Sequence, residues 1–553
     1  MISTLIKRYY HSRLTAARTR VQAVQEKILL DLVRANRATP FGREHGFAGI
    51  RTLDQYRAAV PVRTSKEYAG YLRTVYETDP CHLTAERPLF FAMTAGSTGD
   101  YKYIPLTPSF KNAINRSVFA FYHFFESQCP ELAHHPIQFL VGSAEGGTAP
   151  VGIPQGFVSG FNYRNLPAFI RRKFIIPYWV FTLENADDRY YAMARFLAAN
   201  GQVAAIGAFS PMNIANIVSA VQARLPVFIN DLERGALTIA TAPPAPLNLP
   251  RQTELARQVS DWQRAGNDPV ALTALLFPHL KYFACWLGGN MGHVRDNLFR
   301  IMGEKAVFEM PFSASEGVFA VPHKLNEPGG IAAVTSHFLE YIPEDAIDDP
   351  AAPTLCAWEL EAGGTYYQVV STQAGLYRYN MEDLIRVKDH WGGIPVVEFI
   401  SKKARQISIA NERLNENDVT EACRIACAQT GALLKQFILF PSRAGYYEML
   451  VEGNIDNPQQ FADTMEQTLC KVAKGYDFER EDRLLQPLRL LQAQDGQLSD
   501  YVHARQFRSA LPSAQFKPIH LSNEFEGARD FAIQSSHVAA DSYAGGLASQ
   551  VSA

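Results

Sequence analysis

The sequence predicts an α/β protein in two parts: a large N-terminal domain of mixed sheets and helices over residues 1–400, and a small α+β domain over 401–553. Three observations carry this. With 553 residues, 47% of them hydrophobic, the chain is long enough for more than one core. From about residue 88 to 400, short apolar runs alternate with longer amphipathic segments, the pattern of an α/β domain. Beyond Ser401-Lys402-Lys403-Ala404-Arg405 the order becomes strand, helix, strand, strand, helix.

The elements follow in chain order. Residues 1–75 read as helical, with Leu29, Leu30, Leu32 and Val33 at helical spacing, and Thr39-Pro40-Phe41-Gly42 punctuates them. Residues 137–141, 203–206, 366–370 and 396–400 read as strands, and 184–199 as a helix. Ala242-Pro243-Pro244-Ala245-Pro246 and the acidic stretch 343–353 read as surface connections. In the second domain, 406–409, 436–440 and 447–451 read as strands, and 419–430 and 459–473 as helices. From about His537 the tail is rich in Ala, Ser and Gly and is expected to be mobile. There is no internal repeat.

A net charge of -2 argues against a nucleic-acid partner, which calls for a basic excess. Arg171-Arg172-Lys173 reads as a solvated face or a contact to an anion. The seven cysteines show no paired pattern, and Cys423 and Cys427 lack the further ligands of a zinc site. Buried thiols suit a reducing compartment. The start, MISTLIKRYYHSR, has no apolar signal region, and no apolar run reaches a membrane span. The expectation is a cytoplasmic monomer with no membrane partner.

Four motifs carry chemistry. Thr94-Ala95-Gly96-Ser97-Thr98-Gly99-Asp100-Tyr101-Lys102 packs glycines and hydroxyls into one turn before a lysine. Glycines let backbone approach a phosphate, and the lysine supplies a point charge; a plain polar hairpin is the alternative. In Phe312-Ser313-Ala314-Ser315-Glu316-Gly317, Phe312 offers a face for a base and Glu316 hard oxygens for Mg²⁺. Asp383, in Tyr377-Arg378-Tyr379-Asn380-Met381-Glu382-Asp383, could accept from two ribose hydroxyls or be a strand-end charge. Lys517, in Ala514-Gln515-Phe516-Lys517, is a candidate catalytic cation or an exposed loop lysine. A hydrolase elbow is absent, since Gly142-Ser143-Ala144-Glu145-Gly146 has its serine misplaced, and no H-E-x-x-H occurs.

In their order, these residues resemble the adenylate-forming superfamily, and more closely the Gretchen Hagen family of acyl acid amido synthetases. The likeness includes Thr39-Pro40-Phe41-Gly42-Arg43-Glu44-His45-Gly46-Phe47, Gly375-Leu376-Tyr377-Arg378-Tyr379, and a hinge at Phe399-Ile400-Ser401-Lys402-Lys403. It implies a mobile C-terminal domain and two half-reactions. A carboxylic acid attacks ATP to give acyl-AMP, and an amino acid then displaces AMP to form an amide. It also implies residue roles. Thr94, Gly96, Ser97, Thr98, Gly99 and Lys102 would hold phosphate. Phe312, Ser315 and Tyr377 would line the nucleotide, Glu316 would bind Mg²⁺ and Asp383 ribose. Lys402 would sit at the hinge, and Lys517 would reach the α-phosphate. Phe121, Tyr122, Phe125, Phe209 and Met212 either wall an acid pocket or pack a core.

The chain departs from the family pattern in three places. Its phosphate loop is one residue shorter than in the plant members. Glu382 replaces a glycine, and Lys402 replaces an arginine. Two rival readings follow: a thiol acceptor such as CoA, or a catalytically weak nucleotide-binding regulator.

Overall fold

The computed structural model describes residues 2–95, 101–166, 171, 173–287, 291–349, 351–403, 406, 407, 409, 410, 412, 414–481, 484–508, 519–524 and 527–540. The chain divides into two compact units, residues 1–288 with 294–399, and residues 400–553 with 289–293.

The first unit opens with helices α1 (Ile2–Ala17), α2 (Val21–Ala35), α3 (Pro40–Glu44), α4 (Leu53–Ala59) and α5 (Ser65–Glu77). α2 buries Val21, Gln25, Leu29, Leu32 and Val33 along one face. Its one buried amide is fully used. Gln25 donates to the Val334 and His337 carbonyls (2.6 and 2.7 Å) and accepts from the Leu339 N–H (2.8 Å). The Thr39-Pro40 pair does more than break a helix. Thr39 Oγ1 accepts from the Gly42 N–H (3.0 Å) and Pro40 takes the first turn, so the pair starts α3.

Three sheets follow. Strands β1 (Phe90–Ala95), β2 (Tyr101–Leu106) and β4 (Gln155–Gly156) lie in the order β2-β1-β4. Between β2 and β4, α6 (Pro108–Gln128) runs before β3 (Ile137–Phe139). The second sheet is wholly parallel, β3-β5-β6-β7, adding β5 (Ala205–Gly207), β6 (Tyr282–Cys285) and β7 (Ala306–Glu309). Its alternate residues serve two cores. Ala205, Ala284 and Phe308 join one, while Ile206, Phe283 and Val307 join the other. Burial of both faces explains why these strands read as short continuous apolar runs.

The third sheet has the order β12-β11-β13-β14-β15-β10-β9-β8. Its strands are β8 (Phe312–Ala314), β9 (Gly317–Val321), β10 (Gly330–Ala332), β11 (Phe338–Pro343), β12 (Leu355–Cys356), β13 (Thr365–Thr372), β14 (Leu376–Trp391) and β15 (Ile394–Lys402). Arg378 on β14 ties this sheet to the N-terminal helices. It donates to Glu340 Oε2 (3.2 Å), Thr354 Oγ1 (2.8 Å) and the Arg57 and Val60 carbonyls (3.2 and 2.9 Å). Glu340 also accepts from Arg57 Nε at 2.9 Å.

In the second unit β16 (Gln406–Ile407) pairs with β17 (Leu414–Asn415). A four-stranded sheet follows, β18 (Leu433–Ser442), β19 (Tyr446–Asn454), β20 (Arg489–Ala493) and β21 (Ile533–Val538), in that order. Helices Glu416–Thr430 and Pro458–Val472 cover the face bearing Phe437, Leu439, Met449 and Val451. Ile438, Phe440 and Leu450 point to the other face, beneath helix Gln497–Arg508. That helix begins on Glu452, which accepts from the Leu498 and Ser499 N–H groups, each at 3.0 Å. His537, expected in a mobile tail, lies in β21, where it pairs with Leu490. Among the described residues no single helix is long and apolar enough to cross a membrane.

Candidate active site

The β1–β2 hairpin brings Thr94 opposite Lys102. From β2, Lys102 Nζ donates to the Tyr379 hydroxyl at 3.2 Å. The hydroxyl in turn donates to Glu316 Oε1 at 3.4 Å. Glu316 owes its place to the β8–β9 hairpin. Ala314 pairs with Gly317, so Ser315 and Glu316 form the turn. Gly317 is required there, because an added Cβ would come within 2.8 Å of His337 Nε2.

Asp383 is positioned by a bulge. Tyr367 pairs with Leu384 and Val369 with Asn380, so Gln368 alone faces Met381, Glu382 and Asp383. The bulge needs a left-handed residue. Glu382 takes φ 54°, and its N–H donates to Asn380 Oδ1 at 2.9 Å. Asp383 is 2% exposed. Burial, then the charges of Glu316, Asp383 and Glu382, push the Tyr379 phenol far above its usual range. Tyr379 is therefore a neutral donor held between a cation and carboxylates.

A third group gathers at the carboxyl ends of the parallel strands, where open α/β sheets bind ligands. The Trp286 N–H donates to the Phe209 carbonyl (3.0 Å), and the two rings lie 5.0 Å apart. Trp286 Nε1 reaches the Pro311 carbonyl at 3.4 Å, next to Phe312. Phe312 is half-buried and meets Phe319 at 62° and Phe399 at 42°, neither contact being a parallel stack.

Comparison with known proteins shows the family. Residues 10–307 match the GH3 family N-terminal domain, 330–402 the GH3 family central domain, and 417–526 the GH3 family C-terminal domain. The chain belongs to the GH3 family. One relative is the indole-3-acetic acid-amido synthetase GH3.3 of Arabidopsis thaliana, 21% identical over 88% of this chain and 87% of its own length. Another is the jasmonoyl–L-amino acid synthetase JAR4 of Nicotiana attenuata, 21% identical over 73% of each chain. Among solved structures, the GH3.15 acyl acid amido synthetase superposes with a TM-score of 0.80 at 17% identity. The match covers 96% of this chain and 97% of that one.

The structure of this GH3 chain sorts the expected residues. It brings together Lys102, Glu316 and Asp383 around Tyr379, with Thr94 beside Lys102 in the hairpin and Ser315, 8% exposed, beside Glu316. Gly96, Ser97, Thr98, Gly99 and Lys517 lie outside the described residues. Lys402 ends β15 and is half-buried.

Three expectations need correction. Tyr377 has no exposed surface: its hydroxyl donates to the Leu83 carbonyl (2.7 Å) and its ring stacks on Phe41 at 4.8 Å. It is a core residue and has no face left for a nucleotide. Phe121 and Phe125 are 3% and 0% exposed and pack on Phe308, so they fill the core rather than wall a pocket. Tyr122 is half-buried, its ring against Phe139, and burial pushes its phenol upward. Of the five aromatic and methionine candidates, only Phe209 and Met212 are half-buried beside the strand ends.

Sequence reasoning missed Tyr379 and Trp286. Tyr377 meets Tyr68 through its backbone N–H and Tyr379 through its ring, and nothing in the local sequence tells which of the two meets the lysine. A test follows from the bulge. Glu382→Gly removes a strained left-handed residue, which costs an L-residue roughly 1–2 kcal/mol, offset in part by glycine's chain entropy. The variant is expected to gain about 0.5–1 kcal/mol and to bind ATP about as tightly. A lowered melting temperature would show that the Glu382 side chain itself stabilises the bulge.

Proposed function

We propose that this protein is an ATP-dependent ligase that adenylates a small carboxylic acid and transfers the acyl group to an amino acid. AMP and pyrophosphate are released. The observation that carries the reading is the Lys102–Tyr379–Glu316 contact beside buried Asp383. The names of the GH3.3 and JAR4 relatives support the same acid and amine partners.

In the first step a carboxylate oxygen of the acid attacks the α-phosphorus of ATP, and pyrophosphate leaves. In the second the amine attacks the acyl carbon, AMP leaves, and the amine gives up a proton. The chain's residues mainly position reactants and offset phosphate charge. Lys102 stands as a cation at the hairpin. Neutral Tyr379 bonds both Lys102 and Glu316, so it fixes the distance between them. On this reading Asp383 accepts from ribose hydroxyls and Phe312 covers the base.

Glu316 suits Mg²⁺. It is a buried carboxylate whose Oε1 makes only a long 3.4 Å contact, and nucleotide-bound Mg²⁺ needs just one or two carboxylates. Among the described residues no cluster of three or more acidic, His or Cys side chains could hold a metal alone, which fits an ion brought in with the phosphates. Bound there, the ion would neutralise phosphate charge. Seven free cysteines support a reducing, cytoplasmic setting, and we expect a monomer.

The test is a mass-spectrometric screen of carboxylic acids crossed with the proteinogenic amino acids, with pyrophosphate release followed in parallel. Product that forms only with CoA would replace the amine by a thiol acceptor. No pyrophosphate with any acid would leave a nucleotide-binding protein. Within this reading, Lys102→Ala is expected to raise the KM for ATP at least about tenfold, roughly 1.4 kcal/mol. Unchanged ATP kinetics in the folded variant would reduce the hairpin to a turn.

A further inference from the structure

A cavity of about 310 Å³ lies between α2, the start of α6 and the turn before β14. Two of the charged groups on it, Arg116 and Glu86, form no close ion pair among the described residues. Arg116 is half-buried, and its one hydrogen bond among the described residues runs from Nη1 to the Thr335 carbonyl at 2.9 Å. No described carboxylate forms an ion pair with it. Burial, then the neighbouring Arg13 cation, press its pKa down, against the weaker opposing pull of Tyr10, Tyr9 and the Asp31 carboxylate on the same cavity. Glu86, on the same cavity, accepts only from Ser109, through N–H (2.8 Å) and Oγ (2.7 Å), and faces no described cation. Asp31, the other acid there, is already shared by Lys27 and Arg34. Ile28, Leu32 and Ala35 give the cavity an apolar wall.

A guanidinium without an ion pair, a carboxylate bonded only to Ser109 and an apolar wall in one small cavity complement a free α-amino acid. We infer that this cavity is a second, non-catalytic site that binds an apolar α-amino acid, its carboxylate on Arg116, its ammonium on Glu86 and its side chain on the Ile28–Leu32 wall. Charges that are unpaired in the empty cavity become paired on binding.

The cavity is wired to Glu316. Arg116 holds the Thr335 carbonyl. Gln373, which lines the cavity, donates to the Ser336 carbonyl (3.1 Å) and meets His337 Nδ1 through Oε1 (2.9 Å). Burial lowers the His337 pKa to about 4, so the ring is neutral. With Nδ1–H given to Gln373, Nε2 accepts from the Val318 N–H at 3.4 Å, two residues beyond Glu316. A bound amino acid fixes Arg116, and with it residues 335–337 and the Glu316 hairpin. Occupancy therefore tightens ATP binding, and ATP tightens amino-acid binding by the same factor.

The experiment titrates L-leucine into the intact protein by calorimetry, without ATP. Saturable binding is expected. N-acetyl-L-leucine, which lacks the ammonium, and L-leucinamide, which lacks the carboxylate, should each bind at least about tenfold more weakly, as should Arg116→Met and Glu86→Gln. Lys102→Ala should bind leucine as the parent does. ATP is then titrated with and without leucine but without any acyl acid, so that nothing turns over; about a fivefold gain in ATP affinity is expected. The ATP titration rests on the function proposed above, while the calorimetry does not. The site is refuted if leucine, valine and alanine all fail to saturate by about 10 mM. It is refuted equally if folded Arg116→Met and Glu86→Gln proteins both bind leucine unchanged.

Discussion

Replacing Arg378 by methionine is expected to destabilise the N-terminal unit by about 3–5 kcal/mol, the usual cost of breaking a buried ion pair from one side. Arg378 is 7% exposed and Glu340 1%, so the carboxylate cannot turn to water once its partner is gone. The half-exposed Arg57 remains against Glu340 but leaves the Val60 carbonyl and Thr354 without the guanidinium. Urea unfolding followed by tryptophan fluorescence measures the change. A midpoint unaltered in the variant would mean that the Arg378 bonds add nothing to the hold on α4. The double variant Arg378→Met, Glu340→Gln should recover little of the loss, because Arg57 and Thr354 still bond the Glu340 carboxylate in the single variant.

Replacing Lys517 by alanine should slow acyl-AMP formation by about 10²–10³, the scale of losing one charge-stabilising donor. Amide formation from acyl-AMP supplied directly should fall far less, since phosphate displacement is then complete. Lys517 lies outside the described residues, and its role rests on the family likeness of Ala514-Gln515-Phe516-Lys517. The chain just beyond it is firmly held. The Leu439 N–H donates to the His520 carbonyl, and the Ser522 N–H to the Leu439 carbonyl, both at 2.9 Å. The His520 ring stacks on Phe437 at 4.2 Å. Rapid-quench measurement of both half-reactions in one preparation decides the matter. Equal loss in the two would turn Lys517 into a structural residue.

Much of the fold was legible because its signals are local. The apolar runs that became β3, β5 and β13 stand out by their composition, and the helix Ala186–Asn200 by its length. The site was legible where glycine, acid and aromatic residues recur in a fixed order, as around Glu316 and Asp383. What stayed hidden depends on contacts distant in sequence. Nothing local distinguishes Tyr377, which ends in the core, from Tyr379, which meets Lys102 from 277 residues away. Phe121 and Phe125 looked like a pocket because an aromatic cluster on one helix face reads the same whether it lines a cavity or fills a core. Glu382 looked like a defect, and its φ of 54° shows why that position favours glycine.

The clasp between the N-terminal helices and strands β13 and β14 bears on how the protein is made. Tyr56 bonds Ser371 across 315 residues of sequence, and Phe41 stacks on Tyr377. A ribosome adding about 5–20 residues per second needs roughly 15–60 s to cover that gap. For that time Phe41, Phe47, Tyr56 and Tyr68, all buried in the finished protein, have no partner strand to cover them. The nascent chain thus carries a sticky aromatic surface from its first minute, so recovery of active protein should depend on chaperone supply during synthesis more than on the stability of the mature fold.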